Sequence, residues 1–553
     1  MREINRPQTH LISRTYSDTA PYTYALIAAV ITIGWGAIMI WLSLQRVLGY
    51  NAGMLDLGAM AQAVASVLRG QPLVTTGPNG NFSRLAGHVE LFYFLLAPLW
   101  ALWPDPRTLV VTQALLYMSG AFPAYRLGAR AARHPLGGLC FSLIYLFYPV
   151  ALTAVLFDFH GDTLAMPFML FALDAVDRRA WRSFTFWAIL AASCKFYVAG
   201  PLGLIGLIAW WQYGERRIGL TIFLSALAYG LFTFLIIRPL FDTRFDTTSG
   251  TSLYYINYYF GQIATVAESW IPRLVSAMVV FAPAILLAGG GWRWLLPALP
   301  LAFAALISTG PGGSYHYGYH HYALVAPFVL MACAEGVRRV RALAEAGRTR
   351  RHWQADLAIS AVLVILTTVL LVDTPLNPRF WSGAPNNGFD HSVYGVTTRD
   401  RLKDRFLAEY VPPQAPIATS QFLATQLVNR DTLYLTRYAN DLAEDRLSKV
   451  LPQVEYVVAD ALFDFRVVGQ SRIIGGAAYD QPAIAALLRD PDFGLIAAND
   501  GVLIFARNPG TAVMSQAISA RPPSTGEPVI SRMVRWNYLL PKLPPLPIVA
   551  IAW

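Results

Sequence analysis

Charged residues are scarce in this sequence: only 14% of its 553 residues are Asp, Glu, Lys or Arg, whereas 55% are hydrophobic. A soluble domain carries about 25% charged residues, so the composition indicates a chain that crosses a membrane many times. The formal net charge is nevertheless +10. The basic clusters lie between apolar runs, which is typical of cytoplasmic loops under the positive-inside rule and argues against nucleic-acid binding.

The signatures of several chemistries are also missing. The three cysteines, Cys140, Cys194 and Cys333, all fall inside apolar runs, which excludes a disulfide framework and predicts small buried hydrophobes. There is no Walker loop, no dinucleotide-binding glycine fingerprint and no GxSxG elbow. These absences argue against ATP-driven transport and serine-hydrolase chemistry.

Apolar runs long enough to approach the ~20 residues of a membrane span fill residues 22–373. We predict about 11–13 transmembrane helices there, preceded by a cytoplasmic segment over residues 1–21. A cleavable signal peptide has a shorter basic lead, so the first run is interpreted as a retained span. The candidate spans are 22–44, 107–127, 135–157, 163–176, 184–197, 198–213, 218–237, 271–289, 292–308, 321–336 and 355–373.

Alternation of the spans predicts which loops lie outside the cell. With the basic clusters inside, the loop 45–87 is external, and so is everything after residue 374. The other predicted external segments are 158–162, 194–197, 238–250 and 308–322. Two full crossings at 88–103 and 107–127 would break the alternation, so we interpret 88–103 as a re-entrant or interfacial helix.

Residues 374–510 differ in character from the rest. Short apolar runs such as "TLYLT", "VEYVVAD" and "GVLIFAR" alternate with helical stretches, which predicts a small extracytoplasmic α/β domain. Residues 511–553 are rich in proline and end in "IVAIAW". They are predicted to form an extended tail.

The first external loop contains Asp56 within the apolar stretch "NAGMLDLGAMAQAVASVLRG". Apolar residues recur there at helical spacing, which predicts an amphipathic helix along the membrane surface. Asp56 is either the N-terminal cap of this helix or a carboxylate held at the bilayer edge as a general base or metal ligand. His88 and Glu90 follow at the entry to the next apolar segment, where each could contact a substrate or simply extend to the interface.

The stretch "AVLFDFHGDTLAMP" is the most unusual in the chain, because Asp158, His160 and Asp162 directly follow a long apolar run. A spacing of i, i+2 and i+4 places both carboxylates on one helical face, or all three side chains in a tight loop. Paired carboxylates with an imidazole can share a proton, orient a nucleophile or bind a divalent cation. A solvated loop between two spans is the alternative interpretation.

Lys195, in "ASCKFYVAG", is predicted to lie within the membrane domain, where an ionisable residue indicates function by default. A lipid phosphate is one expected partner, and pairing with an acid such as Asp174 is the other. Three histidines among tyrosines follow in "YHYGYHHY": His316, His320 and His321. They are candidate substrate-binding or metal-binding residues, or part of an interfacial aromatic belt.

The order of five stretches resembles a bacterial family of predicted membrane proteins of unknown function, grouped with the GT-C superfamily of integral membrane glycosyltransferases. These are "LDLGAMAQAVASVLRGQPL", "GHVELFYFLLAPLWALWPDPRTLVVTQAL", "YPVALTAVLFDFHGDTLAMPFMLFALDAVDR", "AASCKFYVAGPLGL" and "HHYALVAPFVLMACAEGVRR". The resemblance covers roughly residues 45–510, and "LFDFH" is its most specific mark. It implies a GT-C-like membrane protein of the bacterial cytoplasmic (inner) membrane.

What the resemblance implies chemically is transfer of a sugar from a polyprenyl-phosphate carrier to an extracytoplasmic acceptor. The acidic residue of the first external loop matches Asp56, as catalytic base or metal ligand, and the acids of the second loop match Asp158 and Asp162. The lipid-linked sugar would be the donor, and membrane lipid the main partner. A divalent metal, if present, would use Asp56, Asp158 and His160.

Basic or imidazole groups would bind the substrate or stabilise the departing phosphate. The candidate substrate-binding residues, which include the acid Glu90, are His88, Glu90, His160, Lys195, Arg238, His316, His320 and His321.

The chain departs from the family pattern at two places. The family lysine matching Lys195 is usually followed by Glu and Asp, whereas Phe196 and Tyr197 stand here, and the usual His-Phe-x-Pro motif at His88 reads "HVEL". The alternative is therefore a catalytically inactive GT-C-fold subunit of a larger membrane complex.

Overall fold

The computed structural model of the protein describes residues 20–242, 256–257, 259–310, 313–372, 374–382, 394–436, 443–461, 464–466, 473–475 and 483–509. The predicted N-terminal segment, most of the tyrosine-rich stretch 243–260 and the proline-rich tail lie outside the described residues. Within them the protein is mostly helical, with a small sheet near the C-terminal end. The predicted fold class is thereby confirmed.

The helices of the membrane domain are α1 Ala20–Leu48, α2 Ala59–Val67, α3 Ala97–Leu102, α4 Arg107–Ser119, α5 Ala121–Ala132, α6 Pro135–Leu146, α7 Pro149–Leu156, α8 Gly161–Asp177, α9 Trp181–Cys194, α10 Ala199–Tyr213, α11 Arg216–Phe232, α12 Arg238–Phe241, α13 Trp270–Phe281, α14 Ile285–Ala288, α15 Leu299–Ile307, α16 Val325–Glu345 and α17 Trp353–Leu371. The C-terminal region adds α18 Thr398–Tyr410, α19 Gln421–Ala424 and α20 Ala443–Val450. The strands are β1 Val74–Gly77, β2 Gly80–Ser83, β3 Ile417–Thr419, β4 Leu433–Leu435, β5 Tyr456–Asp460, β6 Asp464–Arg466, β7 Ile473–Gly475, β8 Phe493–Asn499 and β9 Val502–Arg507.

Four helical segments among the described residues are long and apolar enough to cross a membrane: Tyr22–Leu48, Arg216–Phe241, Ile263–Leu295 and Trp353–Leu371. A fifth arises if α6 and α7 are counted as one span bent by 48°. Pro149 begins α7 at that bend, where its ring cannot continue the preceding helix. Other predicted spans are made of shorter helices, so the predicted number of 11–13 remains a prediction.

Two predicted spans have different boundaries in the structure. The predicted spans 271–289 and 292–308 become one helical run, Ile263–Leu295, followed by α15. The segment 88–103 forms a short helical run, Leu91–Leu102. At ~1.5 Å per residue this run reaches about 18 Å, which falls short of the ~30 Å hydrocarbon core.

The sheet of the C-terminal region has the strand order β4-β3-β5-β9-β8. Strand β3 pairs in parallel with β4 and with the central β5, whereas β9 runs antiparallel to β5 and β8. The β8–β9 hairpin turns at Asp500 and Gly501, both of which have positive φ, the geometry of a two-residue turn that matches strand twist. These strands arise from the apolar runs that predicted an α/β domain, whose exact limits remain a prediction.

The amphipathic stretch around Asp56 is covered by this C-terminal region and does not lie open along the membrane surface. Met60 is buried, the Thr425 hydroxyl donates to the Ala52 carbonyl at 2.8 Å, and the Gln62 side chain donates to the Arg430 carbonyl at 3.1 Å. The apolar face predicted to meet lipid therefore packs against the chain itself. The α/β region consequently fixes the loop that contains Asp56.

Candidate functional site

Asp162 is the centre of a buried polar cluster. One carboxylate oxygen accepts hydrogen bonds from Lys195 Nζ at 2.8 Å and lies 2.7 Å from His320 Nδ1. The other oxygen accepts a hydrogen bond from the Tyr197 hydroxyl. Both Asp162 and Lys195 are almost completely buried, so this ion pair is held in a low-dielectric environment where an unpaired charge would be costly.

The glycine of the "DFHGD" motif permits this approach. A Cβ added at Gly161 would lie 2.5 Å from the carbonyl oxygen of Cys194 and 2.8 Å from Cγ of Lys195. Only glycine lets the first turn of α8 lie so close to the end of α9. Since Asp162 follows in that turn, Gly161 brings its carboxylate within reach of Lys195.

Three histidines lie beside this pair. The rings of His160 and His320 stack with centroids 3.5 Å apart, and His321 lies 4.2 Å from His320 by the same measure. His160 Nε2 points to Asp56, at 3.5 Å from its Oδ1. This buried nitrogen has no hydrogen-bond partner among the described residues. The His160 ring therefore links the Asp162 cluster to the carboxylate of the first external loop.

Asp56 is the most accessible of the three predicted acids. Its side chain is 36% exposed, against 4% for Asp158 and 3% for Asp162. It lies inside the short helix Met54–Gly58, whose N-cap is Gly53, so the capping interpretation is wrong. Burial of the carboxyl, together with the nearby charge of Asp158, raises the pKa of Asp56 from 3.8 to about 7. A carboxyl with such a pKa can exchange a proton at neutral pH.

Asp158 has a different environment from Asp162 although only four residues separate them. Its carboxylate lies 3.0 Å from Arg46 Nε, at the end of α1, and accepts a hydrogen bond from the Gly53 amide at 3.2 Å. The residue has a φ of +33°, a conformation that costs free energy for a residue other than glycine. The carboxylate thus joins α1, the Asp56 loop and the "DFHGD" segment.

Gln113 on α4 holds this strained segment in place. Its side-chain amide donates to the carbonyl of Asp158 at 2.7 Å and to that of Val155 at 3.2 Å. Its carbonyl oxygen accepts from the His160 amide at 3.0 Å. Gln113 is buried, so the three bonds account for backbone groups that would otherwise be left without partners.

Glu90 forms a second buried ion pair. Both Nε and Nη2 of Arg84 lie 2.8 Å from the same Glu90 oxygen, and the Tyr93 hydroxyl donates to the other at 3.2 Å. Burial, followed by the charges of Lys195 and Arg84, holds the pKa of His88 well below its usual value. His88 is therefore a neutral imidazole beside several cations.

Arg238 is buried at the same end of the protein. Its Nε donates weakly to the Ala86 carbonyl at 3.4 Å, and its guanidinium lies 4.7 Å from the Phe234 ring centre and 5.4 Å from that of Phe196. Arg238 also acts electrostatically on His88. Phe196 thus packs on an arginine, and its neighbour Tyr197 bonds Asp162, at the two positions where the family usually has acids.

His316 contacts its own loop. Its Nδ1 accepts a hydrogen bond from the Gly318 amide at 3.0 Å, and its ring stacks on Tyr317 with centroids 4.3 Å apart. Burial lowers the pKa of His316 to about 4. This environment is that of a structural imidazole within its own loop.

A metal ion would find its best ligand set at Asp162, His320 and His321, whose potential ligand atoms lie within 4.8 Å of one another. The set predicted from sequence was different, and its member Asp158 is engaged by Arg46. At Asp162 the Lys195 ammonium already supplies a positive charge at 2.8 Å. The positive charge that a metal ion would supply is therefore already present beside the Asp162 carboxylate.

Several residues of the cluster were not predicted as site residues: Arg46, Arg84, Gln113 and Tyr197. Arg46 and Arg84 have a signal, because both lie on the side predicted to be external, against the usual bias of arginine. Tyr197 was noted only as a departure from the family pattern. Gln113 has no signal, since a lone polar residue in an apolar helix predicts no particular partner.

The membrane domain has a GT-C-like helical fold. In a comparison with solved structures, the chain is similar to ArnT from Cupriavidus metallidurans bound to undecaprenyl phosphate. The TM-score is 0.53 at 11% identity, over 88% of this chain and 98% of that one. Apo ArnT from the same organism has a TM-score of 0.46 at 13% identity, over 87% and 98%.

Residues 46–502 match the model of the family described as "Predicted membrane protein (DUF2079)". The chain therefore belongs to this family, as its sequence motifs predicted. No curated protein matches the sequence.

Proposed function

We propose that this protein transfers a sugar from a polyprenyl-phosphate carrier to an acceptor at the extracytoplasmic face of a bacterial cytoplasmic membrane. The observation that carries the proposal is the position of Asp56: a partly exposed carboxyl, 3.5 Å from His160 Nε2 and next to a buried cluster of cations. The structural similarity to ArnT, which was crystallised with undecaprenyl phosphate, supports a polyprenyl-phosphate-linked sugar as the donor.

The three predicted acids have different roles in this proposal. Asp158 and Asp162 are each held by a cation of the chain, Arg46 and Lys195 respectively, and therefore organise the site. Asp56 is the general base. It would take the proton from an acceptor hydroxyl as the oxygen attacks the anomeric carbon, with His160 orienting the carboxylate.

The phosphate of the carrier would lie near His88. Lys195, Arg84 and Arg238 all act electrostatically on that imidazole, as does the carboxylate of Asp162. These cations would stabilise the phosphate that leaves with the bonding electron pair when the bond between the sugar and the phosphate oxygen breaks. Lipid-linked donors fit this arrangement because the site lies at the end of membrane helices.

A second candidate function is a non-catalytic membrane subunit that uses the same fold. The observation that favours it is the Tyr197 hydroxyl bonded to Asp162, where the family usually has an acid. In that case the cluster would serve stability alone, and substitution of Asp56 would leave glycosylation unchanged.

The two functions are separated by complementing a deletion strain and comparing the cell-envelope glycans by mass spectrometry. Asp56→Asn should fail to restore the glycan that wild type restores. The matched control is Asp431→Asn, because Asp431 is an acid of the α/β region with a 57% exposed side chain. A normal glycan with normally expressed Asp56→Asn protein would remove the glycosyltransferase proposal.

A further inference from the structure

A second charged cluster lies at the other ends of the helices that form the candidate site. Helix α8 has Asp162 in its first turn and Asp174 and Asp177 in its last turns. Fifteen residues at ~1.5 Å each separate Asp162 from Asp177 by about 22 Å. Helix α16 likewise begins just after His321 and contains Arg341 near its C-terminal end. The two clusters are therefore at opposite ends of the membrane domain.

Arginines outnumber the carboxylates at this end. Asp174 is completely buried and pairs with Arg126, Arg130 and Arg178. Asp177 pairs with Arg130 at 2.8 Å and with Arg338 at 2.5 Å. Arg338 also pairs with Glu335 at 3.4 Å. Three carboxylates thus meet four guanidinium groups, and the balance is positive.

Arg341 adds a guanidinium that the protein does not saturate. Its Nε lies 3.7 Å from the nearest oxygen of Glu345, too far for a hydrogen bond. Nε and Nη1 are buried and have no hydrogen-bond partner in the described part of the chain. The neighbouring cations Arg133 and Arg338 repel it. Burying two unsatisfied donors among like charges is costly, so an anion is the group that this position lacks.

Aromatic rings mark the depth of this position. The Tyr24 ring, near the start of α1, lies 5.9 Å from that of His134, which lies 6.4 Å from that of Trp353, at the start of α17. Rings of this kind gather at the level of lipid headgroups. Arg133 immediately precedes His134 and is exposed, so it lies at the headgroup level beside Arg341.

We propose that Arg133 and Arg341 bind the phosphate of an anionic phospholipid from the surrounding leaflet. The planar guanidinium of Arg341 offers its two unsatisfied donors to phosphate oxygens, while Arg133 adds a second charge from the solvent side. Basic pockets between membrane helices bind anionic headgroups in this way. The site is independent of the proposed glycosyl transfer.

The test is a titration of the full-length protein in detergent with phosphatidylglycerol, followed by native mass spectrometry. Each arginine removed should weaken binding roughly fivefold, so Arg133→Gln with Arg341→Gln should weaken it about 25-fold. Arg341→Lys keeps the charge but loses the planar guanidinium, so its affinity for phosphatidylglycerol should lie between those of wild type and the double variant. Arg351→Gln is the control, because Arg351 is half-exposed and paired with Asp356, and it should bind like wild type.

Two results would overturn the proposal. The first is that the double variant binds phosphatidylglycerol as tightly as wild type does. Should the double variant not fold, the same result with Arg341→Lys would overturn the proposal. The other is displacement of the lipid by inorganic phosphate alone at equal concentration, which would assign the site to a free anion. Phosphatidylcholine should bind equally weakly to all variants, since it has no net charge.

Discussion

Replacing Asp56 with asparagine tests the electrostatic description of the candidate site without any knowledge of the substrate. The raised pKa of Asp56, about 7 against 3.8, means that the unfolded chain loses this proton near pH 4, whereas the folded protein keeps it until about pH 7. Stability from this group is therefore lost as the pH rises from about 4 to 7, and stays lost above pH 7. Asparagine is neutral throughout and avoids that loss.

The size of the effect follows from the shift. Three pH units correspond to at most about 4 kcal/mol, and the 36% exposure of the side chain reduces this to ~1–2 kcal/mol through solvent screening. Asp56→Asn should accordingly be the more stable protein at pH 8 and equal to wild type near pH 4. The apparent Tm in detergent should differ by roughly 1–3 °C at the higher pH.

The assay is thermal unfolding of purified protein at a series of pH values between 4 and 8.5. The exposed carboxyl of Asp431 provides the control, and Asp431→Asn should follow wild type over the whole range. A Tm of Asp56→Asn that runs parallel to wild type at every pH would refute the raised pKa. It would also remove the argument that Asp56 is a base adjusted to neutral pH.

Two further substitutions test the packing and pairing within the cluster. Gly161→Ala should lower stability by ~1–3 kcal/mol, because the added Cβ would lie 2.5 Å from the Cys194 carbonyl oxygen. The control Gly200→Ala, with no atom within 4 Å of the new Cβ, should be neutral in the same unfolding assay. Equal effects of the two substitutions would contradict the close approach of α8 to the end of α9. Lys195→Met removes the cation that pairs with the buried Asp162 carboxylate, which should cost up to ~3–5 kcal/mol, because His320 and the Tyr197 hydroxyl remain as partners. Adding Asp162→Asn should recover part of that loss, and a simple sum of the two single effects in a double-mutant cycle would show that the pair is not coupled.

The sequence predicted the fold because apolar run length and short alternating strands are local properties. The apolar runs around α1, α11 and α17 are each long enough to predict a membrane helix without other information. The five apolar segments after residue 410 form the strands of one sheet. The predicted helix boundaries were wrong where contacts with other parts of the fold, and not the local sequence, decide whether a helix ends. The three glycines at 289–291, for example, favour the end of a helix, whereas the structure continues the helical run to Leu295 with a kink at Gly291.

The candidate site was predictable as a set of residues but not as a set of partners. Spacing alone placed Asp158 and Asp162 together, yet one pairs with Arg46 and the other with Lys195. Those partners are 112 and 33 residues away along the chain, and no local pattern encodes contacts over such separations. Pairing of Lys195 with Asp174 was equally open in the sequence, and the structure instead gives Asp174 to three arginines.

The central claim is that the cluster around Asp56 and His88 receives a polyprenyl phosphate. The most direct measurement is a cryo-EM structure of the full-length protein with undecaprenyl phosphate added. We predict phosphate density beside His88, within hydrogen-bond reach of Arg84, Arg238 or Lys195, with the lipid chain leaving between the membrane helices. Phosphate bound elsewhere, or a cluster that stays closed at saturating lipid, would contradict the proposed function.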